Sequence, residues 1–141
     1  MGFSDITQRP VRPLWPAMLN GMKCRCPACG EGKLFGKYLK VTDACAHCGT
    51  ELHHQRADDA PPYIVITIVG HVAVAILVHL EMTHALHPAI YLATLVPLII
   101  LMSLWLLPVT KGAIVGMQWA QYMHGFDPSP IFDEIEHDER A

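Results

Sequence analysis

Residues 63–82 read YIVITIVGHVAVAILVHLEM and are apolar at almost every position. A helix needs about 20 such residues to cross a hydrocarbon layer about 30 Å thick. A second segment, residues 89–108 (AIYLATLVPLIILMSLWLLP), has no charged residue and follows after the short stretch HALHP, residues 84–88. We therefore predict a transmembrane hairpin of two helices over residues 58–108, with spans at 63–83 and 89–107.

The rest of the composition agrees with a membrane protein. The chain is 52% hydrophobic and has a positive mean hydropathy, both unusual for a small soluble protein. Two core helices of a soluble bundle would need polar faces, and residues 92–107 offer none. A cleaved signal peptide is not expected either, because the first 60 residues contain no apolar run.

Basic residues predict the orientation of the hairpin. Eight Lys or Arg residues precede the first span, Lys111 follows the second, and the loop 84–88 has none. The positive-inside rule then places both termini in the cytoplasm. Cytoplasmic thiols are kept reduced, so a disulfide framework is disfavoured for the cysteines of this chain.

Four of the five cysteines form two matching pairs. Cys26-Pro-Ala-Cys29 and Cys45-Ala-His-Cys48 are each followed by glycine and lie 15 residues apart. This is the spacing of a zinc ribbon, in which two residues between ligands let both sulfurs reach one tetrahedral ion. We predict a zinc ribbon over residues 21–57; iron in the same ligand set and dithiol redox chemistry remain as alternatives.

A site closed by four thiolates has no open position for water or substrate, so the Zn²⁺ is expected to be structural. A domain of about 30 residues buries too little apolar surface to fold unaided, and metal binding would supply most of its folding free energy. Cys24 is interpreted as a thiol outside the site, with a fifth-ligand role as the alternative. His53 and His54 are interpreted as solvated linker residues.

Ionisable residues within the hairpin form a possible intramembrane polar site. His71 lies part of the way across the first span, and His79 and Glu81 lie near its outer end, with His84 and His87 following. Such residues at membrane depth suggest function by default, here a proton relay or the handling of a copper ion. The alternative is that His71 hydrogen-bonds the second helix while the others lie at the wet interface.

The regions around the hairpin complete the predicted fold, a mainly α membrane protein. Residues 1–20 are expected to form an N-terminal tail, residues 109–126 an amphipathic helix lying on the cytoplasmic leaflet, and residues 127–141 an acidic tail. Within 109–126, the small residues Gly112, Gly116 and Ala120 recur every four positions, which could let another helix approach closely.

Several motifs together resemble a bacterial family called domain of unknown function 983. They are the paired cysteine knuckles, the sequence DDAPPYIVITIVGH at the first span, the short hairpin and KGAIVGMQWAQYMHGFD after the second span. The resemblance covers residues 14–127 and implies four zinc ligands, Cys26, Cys29, Cys45 and Cys48, and no catalytic residue. In alphaproteobacteria, members tend to lie among genes for aa3-type cytochrome c oxidase and its assembly factors, which implies a role in building a respiratory complex.

The sequence therefore predicts a non-enzymatic accessory protein of the bacterial inner membrane. Its zinc ribbon would be a docking module for a membrane protein complex, with cytochrome c oxidase as the candidate. No Ser-His-Asp set, phosphate loop or open metal site can be assembled, and no small-molecule substrate is indicated. Nucleic acid is not expected as a partner, because the positive-inside rule already explains the modest basic excess. The alternative function is a small proton- or copper-handling component that uses the polar residues of the hairpin.

Overall fold

The computed structural model describes residues 10–56 and 59–126, so the predicted acidic tail lies outside the described part. The fold is mainly helical, with two long apolar helices and a cysteine cluster near the N-terminus, as the sequence predicted. A small antiparallel sheet of two strands lies between the first helix and the long ones. The elements in chain order are α1 (Leu14–Met22), β1 (Phe35–Lys37), β2 (Lys40–Val41), α2 (Ala60–His84) and α3 (Pro88–Ala120).

The long helices α2 and α3 are both long and apolar enough to cross a membrane. Their most apolar windows are 11% and 0% buried within the protein, whereas a core helix of a soluble protein is mostly buried. Helix α2 begins after Asp59 with proline in its first turn, where the missing N–H is not needed. Between the helices, the ring of His87 accepts a hydrogen bond from the N–H of Ala89 and caps α3. The length, apolar composition and low burial of the two helices suggest membrane association.

Helix α3 differs from the prediction at its C-terminal end. A separate interfacial helix was expected over residues 109–126, but α3 continues through Pro108 to Ala120 without a break. Proline lacks the N–H that would bond the carbonyl four residues earlier, which here is the carbonyl of Leu104. The hydroxyl of Tyr38 donates to that carbonyl at 2.7 Å. The freed acceptor is thus satisfied from outside the helix.

Helix α1 was also not predicted, because residues 1–20 were expected to form a tail. A helix of nine residues that contains proline and glycine is marginal by itself, and α1 has no side-chain cap at its N-terminus. It packs against the C-terminal extension of α3, residues 109–120. A Cβ atom on Gly21 would overlap the carbonyl oxygen of Gly112, and one on Gly116 would overlap that of Ala17. The small-residue line of α3 therefore accommodates α1.

The order of the α1 contacts shows that α1 runs antiparallel to the extension of α3. Beyond the N-terminal end of α1, the guanidinium of Arg12 lies 4.4 Å from the ring centroid of Trp119 and 4.0 Å from that of Tyr122. The same group donates a hydrogen bond of 2.8 Å to the carbonyl of Trp119. Cation–π attraction and the charged hydrogen bond together fix the chain before α1 to the end of α3.

The segment between α1 and α2, residues 23–56, is here named the cysteine module. Its central side chains, Leu34 and Leu52, are fully buried in one cluster with Val115 of α3. At its end, the side-chain amide of Gln118 donates to the backbone carbonyl of Arg56 at 3.1 Å and accepts from its N–H at 3.2 Å. The module is therefore packed directly onto the extension of α3.

Candidate metal centre

The two cysteine pairs of the module lie in loops with the same backbone design. In the first loop the N–H of Gly30 donates to the carbonyl of Cys26 at 2.8 Å, and in the second the N–H of Gly49 donates to that of Cys45 at 2.9 Å. Both glycines have a positive φ, +72° and +75°, a conformation that residues with a Cβ rarely adopt. The glycine after each pair thus permits the tight turn that closes each loop.

Short β-bridges close the base of both loops. Arg25 pairs with Lys33 beside the first cysteine pair, and Ala44 pairs with Glu51 beside the second. Between the loops, Gly32 approaches the other pair so closely that a Cβ on it would overlap the sulfur of Cys45. The absence of a side chain at Gly32 therefore lets the two loops approach each other closely.

The four sulfurs form one cluster. The Sγ atoms of Cys26, Cys29, Cys45 and Cys48 all lie within 4.8 Å of one another, and the Cys26–Cys48 and Cys29–Cys45 separations are both 3.8 Å. Tetrahedral zinc with Zn–S bonds of about 2.3 Å requires sulfurs about 3.8 Å apart, whereas a disulfide would need about 2.05 Å. The residues thus fit a metal ion such as zinc, and all four cysteines are free thiols.

The surroundings lower the pKa of two of the four clustered thiols. Backbone N–H groups of Gly32 and Glu31 donate to the sulfur of Cys29 and lower its pKa to about 6. For Cys45, burial acts to raise the pKa, but backbone N–H groups of its own loop and the neighbouring thiols lower it overall. Burial raises the pKa of Cys26 to about 12. A bound cation would displace the protons that remain on the cluster.

Cys24 lies outside the cluster of four thiols, as predicted from the sequence. The thiol is partly buried, and burial raises its pKa. Its N–H and carbonyl both bond the backbone, to Gly21 and Leu34 respectively, and its φ is +59°. The residue therefore connects α1 to the module through its backbone.

A second group of possible ligands was missed from the sequence. Glu51, His53 and His54 place ligand atoms within 4.8 Å of one another, with 3.1 Å between the Glu51 carboxylate and Nε2 of His54. His54 is partly buried, and its ring packs edge-on against Phe126 at 5.9 Å. It is therefore not a solvated linker residue. The spacing Glu-x-His-His was the available signal, but the contact with Phe126 lies 72 positions away along the chain.

The polar residues predicted within the hairpin are not brought together. Among residues 10–56 and 59–126, neither group of three or more clustered ligands includes a hairpin residue. Nδ1 of His71 donates to the carbonyl of Thr67 in its own helix, at 2.7 Å, and not to α3. Glu81 lines a groove with Tyr91 at the far end of the hairpin. His79, His84 and His87 are exposed.

One family of proteins matches this chain. The family model described as "Protein of unknown function (DUF983)" matches residues 35–119, more than half of the 141 residues. The matched part contains the second cysteine pair and both long helices almost to the end of α3, and leaves the first cysteine pair outside. No curated protein and no solved structure gives a significant match.

Proposed function

The chain belongs to the DUF983 family, as its motifs predicted, and we propose that it is a non-enzymatic accessory protein of the bacterial inner membrane. In this proposal the cysteine module is a cytoplasmic zinc ribbon, and it docks the membrane hairpin onto a client membrane protein complex. The observation that carries the proposal is the tetrahedral spacing of four thiols on a module packed against α3.

The ligand set supports a structural and not a catalytic metal. Four cysteine sulfurs complete the coordination of zinc and leave no position at which water or substrate could bind. Apart from the cysteines, the module itself contributes only Leu34, Val41 and Leu52 to the buried hydrophobic core, so the ion would supply much of its folding free energy. A ribbon of this kind presents a surface and carries out no reaction.

The attachment of the module supports a docking role. Helix α3 continues 13 residues beyond the predicted end of the second span at 107, which is about 20 Å at 1.5 Å per residue. The cysteine module and α1 both pack on this extension. A client held by the module would therefore be held at a defined position relative to the hairpin.

Helix α1, which the backbone of Cys24 joins to the cysteine module, adds a contact surface for the client in this proposal. Trp15, Leu19 and Met22 are 71%, 46% and 42% exposed and recur at the four- and three-residue spacing of one helix face. This face lies about opposite Ala17 and Gly21, which pack on α3. An exposed stripe of large apolar side chains is typical of a protein or membrane interaction site, and the proposal assigns it to the protein client. The resemblance to the family points to aa3-type cytochrome c oxidase as the candidate client.

Crosslinked co-purification from native membranes tests the proposal. We expect oxidase subunits to be captured with the wild-type chain, and to be lost with Trp15→Ala and with Cys48→Ser. The matched control is Val11→Ala, which truncates a side chain that is 96% exposed and lies outside the stripe. Undiminished capture by both Trp15→Ala and Cys48→Ser would refute the docking role.

A further inference from the structure

A cleft of about 440 Å³ opens between the β-hairpin of the cysteine module and α3. Its polar lining comes from the module and from the first turn after the predicted second span. The side chains concerned are those of Tyr38, Lys40, Asp43, His53, Gln55 and Lys111. The cleft does not include any of the four clustered cysteines.

The predicted end of the second span at residue 107 places the cleft at the depth of the lipid headgroups. Tyr38 contacts the carbonyl of Leu104, three residues before the predicted end of the span. Lys111 is seven residues beyond Leu104 on the same continuous helix, a rise of about 10 Å. Headgroup layers add about 5–8 Å on each side of a hydrocarbon core about 30 Å thick. The two residues therefore bracket the headgroup layer.

The chemistry of the lining suits a phosphate ester. Lys40 and Lys111 bring two positive charges against one negative charge from Asp43, and the side-chain amide of Gln55 belongs to the same lining. The hydroxyl of Tyr38 already donates to the carbonyl of Leu104 and fixes the edge of the cleft. The backbone carbonyl of Asp43 accepts from the N–H groups of Leu52 and His53, which fixes this wall of the cleft.

Apolar side chains in the same lining favour a lipid over a free anion as the ligand. Leu39 and the largely buried Val41 line the same cleft as the lysines, so the lining is both basic and apolar. An amphipathic ligand contacts both kinds of side chain, whereas inorganic phosphate or an acidic peptide uses only the basic ones. We propose that this cleft binds the headgroup phosphate of an anionic phospholipid in the leaflet that faces the cysteine module.

Native mass spectrometry of the full chain, released from detergent with equal amounts of phosphatidylglycerol and phosphatidylcholine, tests this site. We expect phosphatidylglycerol to be retained preferentially, and Lys40→Gln and Lys111→Gln each to weaken retention about fivefold. Lys33→Gln is the matched control, since this exposed lysine of the same module does not line the cleft. Zinc content verifies that the cysteine module of each variant is folded. If Lys111→Gln does not fold, Lys40→Gln remains the test.

Each other outcome assigns the cleft differently and overturns the proposal. Equal retention by Lys40→Gln and Lys33→Gln, or equal retention of the two lipids, would mean that no specific site exists. Displacement by inorganic phosphate at the concentration of the lipid would make it an anion site. A chain that ends after Phe126 lacks the acidic residues 127–141. Stronger lipid retention by this shortened chain would mean that the acidic tail occupies the cleft in the full chain.

Discussion

The hydroxyl of Tyr38, at the tip of the module's β-hairpin, donates a 2.7 Å hydrogen bond to the carbonyl of Leu104. This carbonyl is the acceptor that Pro108 cannot engage, because proline has no N–H. A single side chain thus satisfies the acceptor that Pro108 leaves free and joins the module to α3 at the same point.

The first prediction concerns this hydrogen bond. We expect Tyr38→Phe to lower the free energy of unfolding of the module by about 1 kcal/mol, because the carbonyl of Leu104 loses its donor. In a Pro108→Ala background the loss should be smaller, since the N–H of alanine can bond Leu104 within the helix. Denaturant unfolding in mild detergent of the four proteins of this cycle measures the coupling. Equal losses in both backgrounds would show that the two residues act independently.

The metal assignment gives the second prediction. Purified reduced protein should contain about one zinc per chain, and Cys29→Ser or Cys48→Ser should lose it, because three thiolates hold the ion far less well. Cys48 is the exposed member of the cluster, so its replacement disturbs packing least. Cys24→Ser is the control and should keep its zinc. Elemental analysis that finds iron, or no metal in the wild-type chain, would contradict the assignment.

The third prediction tests the packing of α1 on α3. A methyl group on Gly21 would meet the backbone of Gly112, so Gly21→Ala must push the helices apart and should destabilise by about 1–3 kcal/mol. Gly70→Ala is the matched control, because nothing lies within 4 Å of its added Cβ. That change should be neutral or stabilising by up to about 1 kcal/mol, since alanine favours helix. Thermal unfolding compares the two, and equal effects would argue against the close crossing.

The sequence predicted the parts of the fold that depend on local pattern. An apolar run of twenty residues indicates a helix, and the Cys-x-x-Cys-Gly repeat indicates a metal-binding loop; both patterns lie within a short stretch of sequence. The continuation of α3 through Pro108 could not be predicted, because its compensating donor, Tyr38, is 66 positions from Leu104. Helix α1 was missed for the same reason, because it packs on Gly112 and Gly116, which are far away along the chain. The sequence indicated that a helix could approach these glycines closely but not which one.

Topology provides the fourth prediction. Because the Lys and Arg residues that flank the hairpin lie outside the loop 84–88, both termini should face the cytoplasm. A reporter active only in the periplasm should work when fused at Ala85 and fail when fused at the C-terminus. The opposite pattern would place the cysteine module outside the reducing compartment and would reopen the question of disulfides.

The last prediction separates docking from proton or copper handling. Nδ1 of His71 bonds the carbonyl of its own helix, and no cluster of ligands gathers around it within residues 10–56 and 59–126. Glutamine at this position keeps a hydrogen-bonding side chain but cannot carry a proton near neutral pH. For a docking protein, His71→Gln should therefore leave both co-purification and activity of the client nearly unchanged, whereas Cys48→Ser should remove co-purification while the apolar hairpin stays inserted. The measurement is client assembly and activity in both strains. Loss of client activity in His71→Gln with normal co-purification would favour a relay through the hairpin over the docking role.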